Sequence, residues 1–150
     1  MALKDTLEAR ITALEDVEAI KKLKAKYWRC VDKKLWDEIA DCFTRDAVAD
    51  YGANMERLKG RKAIVKFLKD SLGRDSVITA HRGHNPEIDI KSDRAAAGTW
   101  ALSDFIIMEP NTRRRGWGFY EDEYVKERGQ WRKKSTKMRC LLEEWETRRR

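Results

Sequence analysis

His81 and His84 are the only histidines of the chain, and both lie in the run Ile78-Thr79-Ala80-His81-Arg82-Gly83-His84-Asn85-Pro86. An unperturbed imidazole has a pKa of about 6.5, so it can take and return a proton near neutral pH. His81 is the candidate general base, provided that an acid orients it and polar groups hold a substrate. His84 competes with it. The HxxH pattern suggests a metal, but on a strand residues three apart face opposite ways. No acid or cysteine stands at a supporting spacing, so no metal ligand is expected here.

Four further polar residues sit among apolar neighbours. Asp104 shares strand parity with Trp100, Leu102 and Ile106. If that face is buried, the carboxylate needs a partner or a changed protonation state; the alternative is a bulge or an outward face. Arg139 lies among Met138, Cys140, Leu141 and Leu142. Buried, it would need an anion, either an acid such as Asp104 or a ligand's carboxylate. Tyr27 falls on the apolar face of the first helix, as a core tyrosine with its hydroxyl at the rim or as a donor. Asp32 follows five residues later, about 140° around an ideal helix. The two share a face only if the helix loosens near Val31.

These residues must be carried by elements, and the elements change character halfway. Ile11, Leu14, Val17, Ile20, Leu23, Tyr27 and Val31 recur at helical spacing, with lysines and acids on the other face, and neither Gly nor Pro interrupts residues 3–36. A second helix carries Trp36, Ile39, Ala40 and Phe43 and exits at Thr44-Arg45-Asp46. A short strand spans Ala47 to Tyr51, and Gly52 to Gly60 is a loop. A third helix carries Ile64, Phe67, Leu68 and Leu72 and ends at Gly73. Strands follow: Val77 to Arg82, Glu87 to Lys91, Ala96 to Glu109, Gly116 to Lys126 and Trp131 to Glu143, with a hairpin at Arg128-Gly129. Helices followed by an antiparallel meander mean an α+β fold with helices packed on one face of a curved sheet.

Composition narrows the class. One hundred and fifty residues suit a single domain, 1–150, with residues 1–15 as an N-terminal helical extension. The net charge is +7, but the basic residues are interleaved with 26 acids. The clusters Arg113–Arg115 and Arg148–Arg150 read as a loop tip and a tail, so no nucleic-acid partner is expected. Eighteen consecutive apolar residues occur nowhere, and the start lacks an apolar signal core, so no membrane is expected and the location reads as cytoplasmic. Cys30, Cys42 and Cys140 are odd in number and widely spaced, which argues for free thiols.

Three segments carry a family resemblance. Phe43-Thr44-Arg45-Asp46-Ala47-Val48, then Gly60-Arg61-Lys62-Ala63-Ile64-Val65-Lys66-Phe67-Leu68, then Tyr124-Val125-Lys126-Glu127-Arg128-Gly129-Gln130-Trp131 resemble the SnoaL-like family of the nuclear transport factor 2-like superfamily. The resemblance covers nearly the whole chain. It implies helices closing a strongly curved antiparallel sheet into a cone-shaped α+β barrel with an interior pocket. Within the family, Asp16 to Asp32 and His81 to Ile88 are similar to enzymes of the bile acid 7α-dehydratase type, with scytalone dehydratase and hexachlorocyclohexane dehydrochlorinase more distant. The resemblance places Tyr27, Asp32, His81, Asp104 and Arg139 around one pocket. The loop 52–58, the tip 111–116 and the short stretch after Arg139 depart from that pattern, so chemistry carries over more readily than substrate.

What the resemblance implies is a cofactor-independent lyase, a dehydratase that eliminates water from a hydrophobic polycyclic or steroid-like hydroxy-ketone. Catalytic roles fall to His81 as base and then acid, Asp32 as its orienting carboxylate, and Tyr27 as donor to the oxygen that gains charge. Asp104 and Arg139 would bind substrate. No cofactor and no metal are implied. The partners expected are a small hydrophobic substrate and further copies of the chain, as a dimer or trimer. Two alternatives stay open: a ketosteroid isomerase-like proton shuttle with Asp104 as base and Tyr27 as donor, and a non-catalytic protein that binds a small ligand.

Overall fold

The computed structural model describes residues 6–52, 55–108 and 110–147. Residues 1–5, the 53–54 part of the predicted loop, Glu109 and the arginine tail at 148–150 lie outside them. Helix α1 (Leu7–Asp32) is a single helix, opened by Thr6, whose hydroxyl accepts from the Ala9 N–H at 3.1 Å. The predicted apolar stripe is buried only from Ile20 onward. Ile11 and Leu14 are exposed, because the first turns run past the sheet. At its other end Lys34 takes a positive φ of 58°, and the N–H groups of Lys34 and Leu35 return to Val31 and Cys30. This left-handed cap ends the helix directly after Asp32. Lys34 then donates from Nζ to the carbonyls of Arg74 and Val77, both at 2.7 Å, which ties the end of α1 to the start of β3.

Helix α2 (Trp36–Asp41) is one short turn and a half, and β1 (Phe43–Asp50) begins where a helix exit was predicted. A two-residue strand β2 (Leu58–Lys59) leads through Gly60, at φ 90°, into α3 (Arg61–Leu72). Four long strands complete the chain: β3 (Ile78–Ile90), β4 (Ala95–Met108), β5 (Thr112–Glu127) and β6 (Gln130–Thr147). The two short strands predicted around Gly83–Pro86 are one strand, which absorbs the break as a register shift between His84 and Glu87 with Asn85 at φ 50°. The arginine tip predicted at residues 113–115 is part of β5.

The sheet order is β2-β1-β6-β5-β4-β3. Every neighbouring pair is antiparallel except β1 with β6, which run parallel. The sheet is therefore mixed and open, with β2 and β3 at its edges, and the helices cover its inner face. Two register shifts in β6 set the inner face. Between the pairs Tyr124–Lys133 and Glu123–Ser135 one extra residue, Lys134, is inserted. Between Gly118–Cys140 and Trp117–Leu142 another, Leu141, is inserted. Each insertion reverses which residues face inward. The core joins α1 to β1, α3 and the sheet through Trp28, Val31, Phe43, Ile64, Trp100 and Tyr120. Trp28 packs edge-on against both Trp100 and Tyr120. No helix among the described residues is long and apolar enough to cross a membrane.

Candidate active site

Strand β3 is an edge, so alternate N–H groups along it have no strand partner. The last turn of α1 fills that gap. Asp32 Oδ2 accepts from the His81 backbone N–H at 2.9 Å. Asp32 Oδ1 accepts from the Thr79 hydroxyl at 2.8 Å and meets His81 Nδ1 at 2.7 Å. Three contacts thus fix one carboxylate against one imidazole and leave Nδ1 as the protonated ring nitrogen. Among the described residues Nε2 has no hydrogen-bond partner. Burial works to raise the Asp32 carboxyl, but the His81 ring, the His81 N–H and Thr79 outweigh it and hold it below its ordinary value. A carboxylate at a helix C-terminus also opposes the helix dipole, and the same contacts offset that cost.

Because its N–H points to Asp32, His81 forms a non-hydrogen-bonded pair with Asp104 across β4, the arrangement that brings cross-strand side chains closest. Asp104 is buried on the parity read from the sequence. Its partner is Arg114, at 2.5 Å, and not Arg139. Arg114 also donates to Glu143 from Nε at 3.1 Å. Burial works against the Arg114 cation, yet Asp104 and Glu143 outweigh it and hold it above its usual value. Gly116 makes the pair geometrically feasible. A Cβ there would stand 2.7 Å from Asp104 Oδ1 and 2.8 Å from Arg114 Nη2.

Arg139 requires a correction. It pairs in register with Phe119 on the outer face of the sheet, between the inward Met138 and Cys140. There its guanidinium grips Asp50 in two hydrogen bonds, at 2.9 and 2.7 Å. The reason is the bulge at Lys134, which turns even-numbered residues of β6 inward after it. Trp117 and Phe119 on β5 likewise face outward and are exposed. Trp28 and Trp100 are core.

Tyr27 and Asp32 do not converge, since α1 stays regular to its last residue. Tyr27 points deeper, where its hydroxyl meets that of Tyr51 at 3.0 Å. Burial first, then Tyr51 and Tyr120, push its phenol well above the ordinary value, so it is a donor and not an anion near neutral pH. Tyr51 stacks on Phe67 of α3 with ring centroids 5.7 Å apart. Burial first, and then Tyr51, Asp122 and Asp104, hold the Tyr120 phenol well above its ordinary value as well. Sequence reasoning missed Tyr51 and Arg114. The signal for Arg114 was present, because Arg114, Gly116, Gly118 and Tyr120 share one strand parity.

The fold is α+β, with three helices on an open six-stranded sheet whose edge strand sets a histidine against a helix carboxylate. The chain belongs to the SnoaL-like domain family, which it matches over residues 12–137. Among solved structures, a scytalone dehydratase-like protein of Novosphingobium aromaticivorans superposes with a TM-score of 0.83 at 26% identity, over 90% of each chain. The hexachlorocyclohexane dehydrochlorinase LinA-type3 of Novosphingobium barchaimii gives 0.81 at 18%, over 90% of this chain and 92% of that one. An aromatic ring hydroxylase-like protein of N. aromaticivorans gives 0.80 at 23%, over 90% and 94%. These neighbours carry differently named activities on one fold, so function has to be argued from the site.

Proposed function

We propose that the protein is a cofactor-independent lyase that eliminates water from a hydrophobic, polycyclic or steroid-like hydroxy-ketone. The observation that carries this reading is the Asp32–His81 contact at 2.7 Å, with Nε2 left without a partner among the described residues. Asp32 holds the tautomer in which Nε2 is the acceptor and stabilises the imidazolium once it forms. Nε2 removes the proton next to the carbonyl, the Tyr27–Tyr51 hydroxyl pair donates to the oxygen that becomes enolate-like, and the imidazolium returns its proton to the departing hydroxyl. The proton taken and the proton given are one, so no external acid is consumed. Asp104 and Arg114 brace the wall beside His81. The dehydratase and dehydrochlorinase names among the structural neighbours support an elimination.

The isomerase alternative needs Asp104 as a free base, but its carboxylate already receives the Arg114 guanidinium. The test is product analysis. Purified protein is incubated with a panel of polycyclic β-hydroxy-ketones and the products are weighed by mass spectrometry. Loss of one water, abolished in His81→Ala, is expected. A product of unchanged mass would establish the isomerase instead, and turnover equal in His81→Ala would remove the histidine from the mechanism.

A further inference from the structure

Beneath the tyrosines lies a cluster of ionisable side chains that takes no part in the elimination. Lys24 on α1, Asp122 on β5 and Lys133 on β6 all have fully buried side chains. Two lysines share one carboxylate, and that carboxylate is already committed. Asp122 Oδ1 accepts from Thr136 at 2.5 Å, and Oδ2 accepts from Lys24 and, at 2.8 Å, from Tyr124. Lys133 Nζ stands 3.7 Å from Oδ2 and, among the described residues, has no hydrogen-bond partner.

Its surroundings are aromatic instead. Lys133 Nζ lies 3.9 Å from the centroid of the Tyr27 ring and 5.1 Å from that of Phe43. Lys24 Nζ lies 3.8 Å from the Tyr120 centroid. An ammonium over a ring face is held by the ring's quadrupole, more strongly where water is excluded. The same contact draws electron density from a phenol and sharpens its hydroxyl as a donor. Two buried amines therefore lie over the Tyr27 and Tyr120 rings with one carboxylate between them, and burial works against the charge on each.

We propose that Lys133 is a positioning residue that, through the Tyr27 ring, strengthens the Tyr27–Tyr51 hydroxyl pair as donor to a ligand oxygen bearing negative charge. The proposal rests on the lyase reading and narrows its substrate: the oxygen held there belongs to an enolisable ketone or an ionisable phenol, not to an ether or an ester alcohol. Burial lowers the Lys133 ammonium below the ordinary lysine value, and Lys24, Asp122 and Cys42 act against that lowering. A negative oxygen at the tyrosines adds to the effect of Asp122 and favours the charged form. The surrounding phenols, Tyr27, Tyr51, Tyr120 and Tyr124, are all held above their ordinary values, first by burial.

The test uses 4-nitrophenol as probe and 4-nitrotoluene as its neutral counterpart. Binding of the ionised probe is read from its visible absorbance, and that of the neutral one by displacement. Wild-type protein is expected to prefer the phenolate. Lys133→Met should weaken phenolate binding by about tenfold, the scale of a desolvated cation–π contact, and leave nitrotoluene unchanged. The variant should stay folded, because Lys24 and Asp122 remain as a neutral pair; Lys24→Met, which leaves Lys133 to pair with Asp122, serves as the second variant and should weaken the same preference. Absence of phenolate preference in the wild type, or equal loss of both probes in the folded variants, overturns the proposal. Neither result depends on turnover, so failure of the lyase reading shows separately, in the product assay.

Discussion

Asp32 and Asp122 each take part in three hydrogen bonds, Asp32 with two residues and Asp122 with three, yet they occupy opposite settings. Asp122 is fully enclosed, and its partners Lys24, Thr136 and Tyr124 are enclosed with it. Asp32 sits at the rim with 20% of its side chain exposed, and its main partner is a histidine with one ring nitrogen unengaged. Both carboxyls are held below their ordinary value against the pull of burial. The difference lies in what the partner can do next. A sealed lysine can only hold its charge in place, whereas a rim imidazole can exchange its proton with a bound molecule. On the proposed lyase reading, the floor sets the field and the rim moves the proton.

The sharpest way to break this division is to cut each side in turn. His81→Ala should lower turnover of any dehydrated substrate by about a hundred- to ten-thousand-fold, with the melting temperature kept, as read by circular dichroism. Asp122→Asn should do the reverse. It strands two buried lysines, and removing one partner of a buried ion pair costs about 3–5 kcal/mol, measured by urea denaturation. If Asp122→Asn is as stable as the wild type, the floor is not a sealed charge cluster.

How much of this was legible in the sequence divides along the same line. His81, Asp32 and Asp104 stand out because they are rare or interrupt an apolar pattern, and the structure places His81 between the other two. Lys24 and Lys133 were passed over, because lysines on a charged chain default to the solvated face. Lys24 nonetheless keeps helical spacing with Ile20, Tyr27 and Val31, and all four are buried. Lys133 shares strand parity with the buried Trp131. Arg139 was misplaced for a different reason. Counting alternately from Trp131 turns it inward, and the bulge at Lys134 reverses the count. No residue pattern marks that bulge. The helices and strands were readable from periodicity, but the parallel pairing of β1 with β6 joins residues about ninety apart in the chain and leaves no local trace.

A smaller effect probes how the rim is held. The Trp28 ring lies flat where a side chain of Gly83 would be, and a Cβ there would fall 1.8 Å from it. Gly83→Ala should therefore displace α1 from β3 and cost about 1–3 kcal/mol as overpacking. Turnover should fall with it, because Trp28 and Asp32 are one helical turn apart. Acid tests the dyad itself. Asp32 titrates below its ordinary 3.8 when folded, so its contribution to stability is complete above that value and is lost as pH falls through the folded one. The stability gap between wild type and Asp32→Asn should be constant at neutral pH and close as pH drops below about 4.

The smallest expected effect is the most pointed. Arg139 and Asp50 form a well-aligned pair, but 40% of the Arg139 side chain is exposed and water screens it. It stands on the outer face, separated from His81 by the sheet. Arg139→Gln should leave turnover and probe binding unchanged, while Arg114→Gln, which frees the buried Asp104 beside His81, should impair both. If Arg139→Gln instead lowers turnover without unfolding, the pair acts on the site through the chain: Asp50, which Arg139 holds, directly precedes Tyr51, whose hydroxyl meets that of Tyr27.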